Sequence, residues 1–122
     1  MSRRITDLED HLNDMKKLVE RRDAILRLAD NRDFRVVIRE AFMVEECARY
    51  ARESGDPALT PNQREDALNM AQAAGHLKRF LNIAIQIGDQ AAGSIEAINE
   101  ALDEERAADQ DTPEPVETVE LG

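Results

Sequence analysis

TPNQREDALNMAQAAGHLKRFLNIAIQIGDQAAGSIEAINEALDEERA, residues 60–107, decides the fold. Thr60, Pro61 and Gln63 form a capping box with proline at the first helical position. The Thr hydroxyl accepts from the Gln63 amide, and Pro61 lacks an N–H that would be unpaired there anyway. Glu65 and Asp66 follow, where negative charge suits the helix dipole. A seam then runs Ala67, Met70, Ala74, Leu77, Leu81, Ala84, Gly88, Ala91, Ile95, Ile98, Leu102. Its steps alternate between three and four, the heptad rule of a coiled coil. Unbroken from Pro61 to Ala107, this helix spans ~70 Å at ~1.5 Å per residue.

The middle of the seam, Ala84, Gly88, Ala91 and Ala92, is small. Two readings stand side by side. Small residues admit a second helix closely near Gly88. Alternatively, Gly88 and Gly93 kink or break the rod, since each costs ~1 kcal/mol in a helix interior relative to Ala, and Ser94 caps a restarted helix. Seam regularity favours a continuous or gently bent rod.

Working outward, Ser54, Gly55, Asp56 and Pro57 end the preceding helix, with Gly as a left-handed cap. That helix runs over 32–53, capped by Asn31 or Asp30, with Phe34, Val37, Ile38, Ala41, Phe42, Val44, Ala48 and Ala51 as a wide buried stripe. Glu45 and Arg49, four apart, pair on its surface. The short linker to Thr60 folds this helix and the rod into an antiparallel hairpin. A first helix is expected over 7–28, with Thr6 and Glu9 as its capping box. Ile5, Leu8, Leu12, Met15, Val19 and Leu26 take its heptad core positions, Arg22 occupies the remaining slot, and Leu18 and Ile25 widen the stripe. An Arg there weakens a long zipper but sets register or partner choice. The expected fold is therefore all-α: an elongated antiparallel helical hairpin with an N-terminal helix and a coiled-coil-like long C-terminal helix. Residues 1–107 make one helical domain. Residues 108–122, with two prolines, five carboxylates and no basic side chain, are expected to be a disordered acidic tail. Val116, Val119 and Leu121 within it offer a docking motif, against the plainer reading of a solvated tail.

Of 122 residues only three are Phe and one is Tyr, and there is no Trp. That suits helix-on-helix packing and leaves apolar surface uncovered on a long thin chain, so a partner or self-association is expected. The net charge is −10, and between Glu96 and Glu120 ten acids meet one Arg. This argues against a nucleic-acid binder, which needs a basic face to displace counterions. Lys16, Lys17, Arg21 and Arg22 cluster, but Asp14, Glu20 and Asp23 sit among them, as on a solvated face. Nothing in the sequence has the apolar length of a spanning helix or a signal core.

The same residues yield no catalytic constellation. His11 and His76 lie on different helices without a carboxylate or cysteine at metal-ligand spacing. Cys47, the only cysteine, follows Glu45 and Glu46, which oppose thiolate formation, so it reads as a small buried hydrophobe. No cofactor and no enzymatic activity are expected.

Two segments carry a resemblance. NRDFRVVIREAF (31–42) with Glu45, Glu46 and Arg49, and LTPNQREDAL (59–68) continuing to LKRFL (77–81), resemble small uncharacterised proteins encoded beside tailed-bacteriophage head genes. The resemblance covers roughly residues 25–105. It implies a virion component or assembly factor without enzymatic activity, working in the host cytoplasm during assembly, with the virion as a second location. Such a protein associates with itself or with phage head or neck proteins, without direct nucleic-acid or membrane contact. The residues expected to carry protein contact are Leu77, Leu81, Ile95, Ile98, Leu102, Leu12 and Val19. The alternative is a small acidic regulatory inhibitor that binds a basic host protein.

Overall fold

In the computed structural model, which describes residues 3–111, helix α1 is Arg3–Asp30, α2 is Arg32–Phe34, a π-helix (π1) is Arg35–Glu46, α3 is Cys47–Ser54 and α4 is Pro61–Asp111. The described residues contain no strand. The all-α hairpin is the observed fold.

The long helix α4 is unbroken over 51 residues, ~77 Å at ~1.5 Å per residue. Its start is the reciprocal capping box. Gln63 N–H donates to Thr60 Oγ1 at 3.2 Å, and Thr60 N–H donates to Gln63 Oε1 at 3.0 Å. Neither Gly88 nor Gly93 breaks it. The Ser94 hydroxyl donates to the Gln90 carbonyl one turn back instead of capping a new helix.

Helix α1 lies antiparallel along the C-terminal half of α4. Arg4 meets Glu105 at 2.8 Å near one end, and Arg22 meets Asp89 at 3.0 Å further along. Helix α3 lies along the N-terminal half, where the Cys47 thiol donates to the Ala71 carbonyl at 3.3 Å. The chain is thus two helical layers, one continuous and one interrupted at Asn31. Asn31 is extended (φ −72°, ψ 127°), and its side-chain oxygen accepts from Phe34 N–H at 3.0 Å, so a single residue ends one helix and caps the next.

The seam on α4 is where sequence periodicity places it. Ala67, Ala74, Ala84, Gly88, Ala91, Ile98 and Leu102 are buried and Leu77, Leu81 and Ile95 half-buried; Met70, near the start of the helix, is exposed instead. Ile98 and Leu102 pack on Ile5, flanked by Leu8, Leu12 and Met15. Full burial of each aliphatic side chain contributes roughly 1.5–3 kcal/mol. At the centre, α1 crosses close over Gly88. A Cβ built there would overlap Arg22 Cβ and come within 2.9 Å of its Cγ. The methylene stem of Arg22 fills the space that a side chain at 88 would need.

Several expectations are corrected. Helix α1 is already formed at Arg3, so Thr6 lies inside it instead of capping it. Ile5 packing on Ile98 and Leu102, with the Arg4–Glu105 pair, rewards the extra turn. Ile25 is buried and Leu26 is exposed, because a straight helix drifts against a strict heptad. Gly55 is not left-handed (φ −104°, ψ 4°); its N–H and that of Asp56 donate to the Arg52 and Glu53 carbonyls, closing the helix with ordinary turns. The wide buried stripe on residues 32–53 shrinks to Phe34, Ile38, Ala41 and Phe42, which are half-buried, while Val37, Val44, Ala48 and Ala51 are exposed. Each π-helical N–H reaches five residues back, which rotates successive side chains off the stripe that α-helical spacing would make. Arg49 pairs with Glu46 and Glu53, not with Glu45. Helix α4 continues past Ala107 to Asp111, since Ala107 and Ala108 propagate it readily. The rest of the expected acidic tail, with Val116, Val119 and Leu121, lies outside the described residues.

Candidate interaction surface

Three of the seven residues expected to carry protein contact, Leu12, Ile98 and Leu102, pack together inside the hairpin. Leu12 packs against the cluster of Ile98 and Leu102, and Leu102 is 1% exposed. Leu77, Leu81, Ile95 and Val19 are half-buried. Exposed apolar side chains lie elsewhere on α4.

Those side chains lie one step off the seam. Phe80, Ile83 and Ile87 are 56%, 39% and 40% exposed. With Leu18, Arg21 and Ala84 they line a shallow groove of about 210 Å³ between α1 and α4. At 3.6 residues per turn, their stripe continues through Asn69, Gln72, His76, Gln90, Ser94, Ala97 and Ala101. No Asp, Glu, Lys or Arg falls on it between Asn69 and Ala101, a lane of ~50 Å on the helix surface. The opposite flank of the seam carries Lys78, Asp89 and Glu96. The lane stands apart on a helix otherwise rich in charge. The sequence carried the signal as a second three-and-four repeat through 76, 80, 83, 87, 90 and 94, masked by its three polar members.

A larger groove, about 400 Å³, opens where α1 ends and π1 begins. Ile25, Leu28, Phe34, Met43, Leu81 and Ile85 form its apolar walls, with Ala29, Val44 and Asn82 beside them. Arg39 and Lys78 also line it, and no carboxylate does. Its shape comes from π1, which sits on α4 less closely than α3 does. Nothing in the sequence pattern marks a π-helix, so this groove was not legible there.

Electrostatics here is structural. The Arg22 guanidinium is held by Asp23 and Asp89, and those two hydrogen bonds raise its pKa, Asp23 most. Hydrogen bonds that Arg49 donates to Glu46 first and to Glu53 second raise its pKa, and its guanidinium also stacks 4.4 Å from the centre of the Tyr50 ring. At the far end Arg4–Glu105 and Arg106–Glu9 tie α1 to α4. Exposed pairs of this kind contribute at most ~1 kcal/mol and serve register more than stability. His11, His76 and Glu45 face solvent, and Cys47 is spent on the Ala71 carbonyl. Among the described residues, no group of three or more His, Cys, Asp or Glu side chains is placed to hold a metal ion. No helix is long and apolar enough to cross a membrane among those residues.

No protein-family model matches the chain, and comparison with curated proteins and with solved structures returns no match.

Proposed function

We propose that this chain is a non-enzymatic assembly protein that works by helix-to-helix association, with tailed-phage head or neck assembly as its setting. The carrying observation is the charge-free lane around Phe80, Ile83 and Ile87, open on a rod only two helices thick. A hairpin with such a lane gains stability by laying it against another helical surface, of its own kind or of a virion protein. The phage setting rests on the resemblance of residues 31–49 and 59–81 to small proteins encoded beside head genes. Quantitative mass spectrometry of particles produced from the encoding genome tests it. Abundant copies per particle are expected for a virion component, and stoichiometric recovery with precursor particles for an assembly factor. Particles that contain no copy at either stage overturn the setting.

A second reading is an acidic inhibitor of a basic host protein. It draws on the end of α4, where Glu100, Asp103 and Glu104 are exposed and Arg106, the single basic residue there, is tied to Glu9. Binding to a basic partner that disappears at modest salt would favour it.

A further inference from the structure

We infer that the groove at the α1–π1 junction takes the acidic C-terminal segment, residues 112–122, of a second copy of this chain. The inference rests on the assembly reading above and adds a second, directional contact to it.

Three observations converge. The groove is apolar on its walls and bears two cations, Arg39 and Lys78, with no carboxylate facing in. The segment supplies the complement: Val116, Val119 and Leu121 interleaved with Glu114, Glu117 and Glu120, and no basic residue. Val44 and Leu28 on the groove are 64% and 47% exposed, so nothing within the described chain covers them. In an extended peptide Val119 and Leu121, two apart, would share the face that enters the trough, with Glu120 turned to the cationic rim.

Reach decides between the chain's own segment and a second copy's. From Asp111 to Leu121 is ten residues, at most ~36 Å fully extended. Ile85, the groove residue furthest along α4, lies 26 residues before Asp111, ~39 Å back along the helix. Val119, two residues nearer Asp111, falls shorter still. A chain cannot seat Val119 and Leu121 in its own groove, so the segment comes from a neighbour. Each copy then gives a segment at one end and receives one near its middle. Such a head-to-tail contact propagates into a file or closes into a ring.

The test measures binding of a fluorescein-labelled peptide of residues 110–122 by anisotropy. Its target is the full chain with Val116, Val119 and Leu121 changed to Ser, so that its own segment does not compete. Saturable one-to-one binding is expected. Arg39→Glu with Lys78→Glu, and separately Val44→Asp, weaken it at least tenfold with the helical circular dichroism unchanged. Phe80→Asp, on the lane, leaves it unchanged, so the two contacts are read independently. The inference is overturned if the peptide binds no better than one carrying Ser at 116, 119 and 121. It is overturned equally if neither groove variant alters binding.

Discussion

Gly88 and Gly93 sit five residues apart on one helix and have opposite requirements. Gly88 lies under the Arg22 stem, while a Cβ at Gly93 or Gly75 meets nothing within 4 Å. Ala in place of Gly in an open helix interior stabilises by roughly 0.5–1 kcal/mol. Gly75→Ala and Gly93→Ala are therefore expected to raise the midpoint of urea unfolding. Gly88→Ala is expected to lower stability by roughly 1–3 kcal/mol, because two backbones must separate to admit the methyl group. Arg22→Ala, which still carries a Cβ, relieves only part of that loss, and a double-mutant cycle would show the coupling. Equal stabilisation at all three glycines would contradict the close crossing. Residue-scale features of this kind were legible where the partner is three or four positions away. The Thr60–Gln63 cap was readable because its bonds close within one turn, and the Asn31 cap was readable as one of two, Asn31 or Asp30. The tight approach at Gly88 was readable as one of two alternatives, since small size permits both a crossing and a kink. The partners of Arg49 were not, because Glu45 and Glu46 both lie within its reach and the π-helical turn before Cys47 decides between them.

At the scale of elements, the chain contrasts a helix that is well buried along its seam with one that is not. Helix α4 has buried residues from Ala67 to Leu102, whereas π1 has none over twelve residues. The i→i+5 bonds of a π-helix are less favourable than those of an α-helix, and little tertiary packing supports them here. Native-state amide exchange should therefore protect residues 35–46 far less than residues 84–102. Protection in π1 equal to that of the α4 centre would contradict this contrast. The long helix was legible because eleven seam positions repeat without a fault from Ala67 to Leu102. The first helix was legible except for its start and the last turns, where Ile25 replaces Leu26 in the core. Heptad counting holds only while helices supercoil, and α1 is followed by a break at Asn31 instead. The second helical run was legible in position but not in kind. Apolar residues at helical spacing foretold burial, yet Val37 and Val44 stand in solvent.

As a whole molecule, the chain presents 9348 Å² of surface, against about 6,600 Å² for a compact globular protein of its 13.7 kDa mass. Two helical layers cover only one stripe of each helix, so the hairpin closes its seam and leaves Phe80, Ile83 and Ile87 open. The sequence foretold that apolar surface would need a partner but assigned it to the seam, since the strongest periodicity draws the eye first. The antiparallel return of α1 covers Ile98 and Leu102, and the open apolar side chains Phe80, Ile83 and Ile87 sit one position around the helix. Pairing two lanes would turn two hairpins into a four-helix bundle; a stable complex generally buries about 1,200–2,000 Å². Sedimentation equilibrium of the full chain beside Phe80→Asp and Ile83→Asp tests this most directly. The account predicts a mass that rises with concentration to at least twice that of one chain, and that falls to a single chain in both variants while helicity is kept. A well-folded single chain at every concentration, or variants that associate as the unsubstituted chain does, would contradict it.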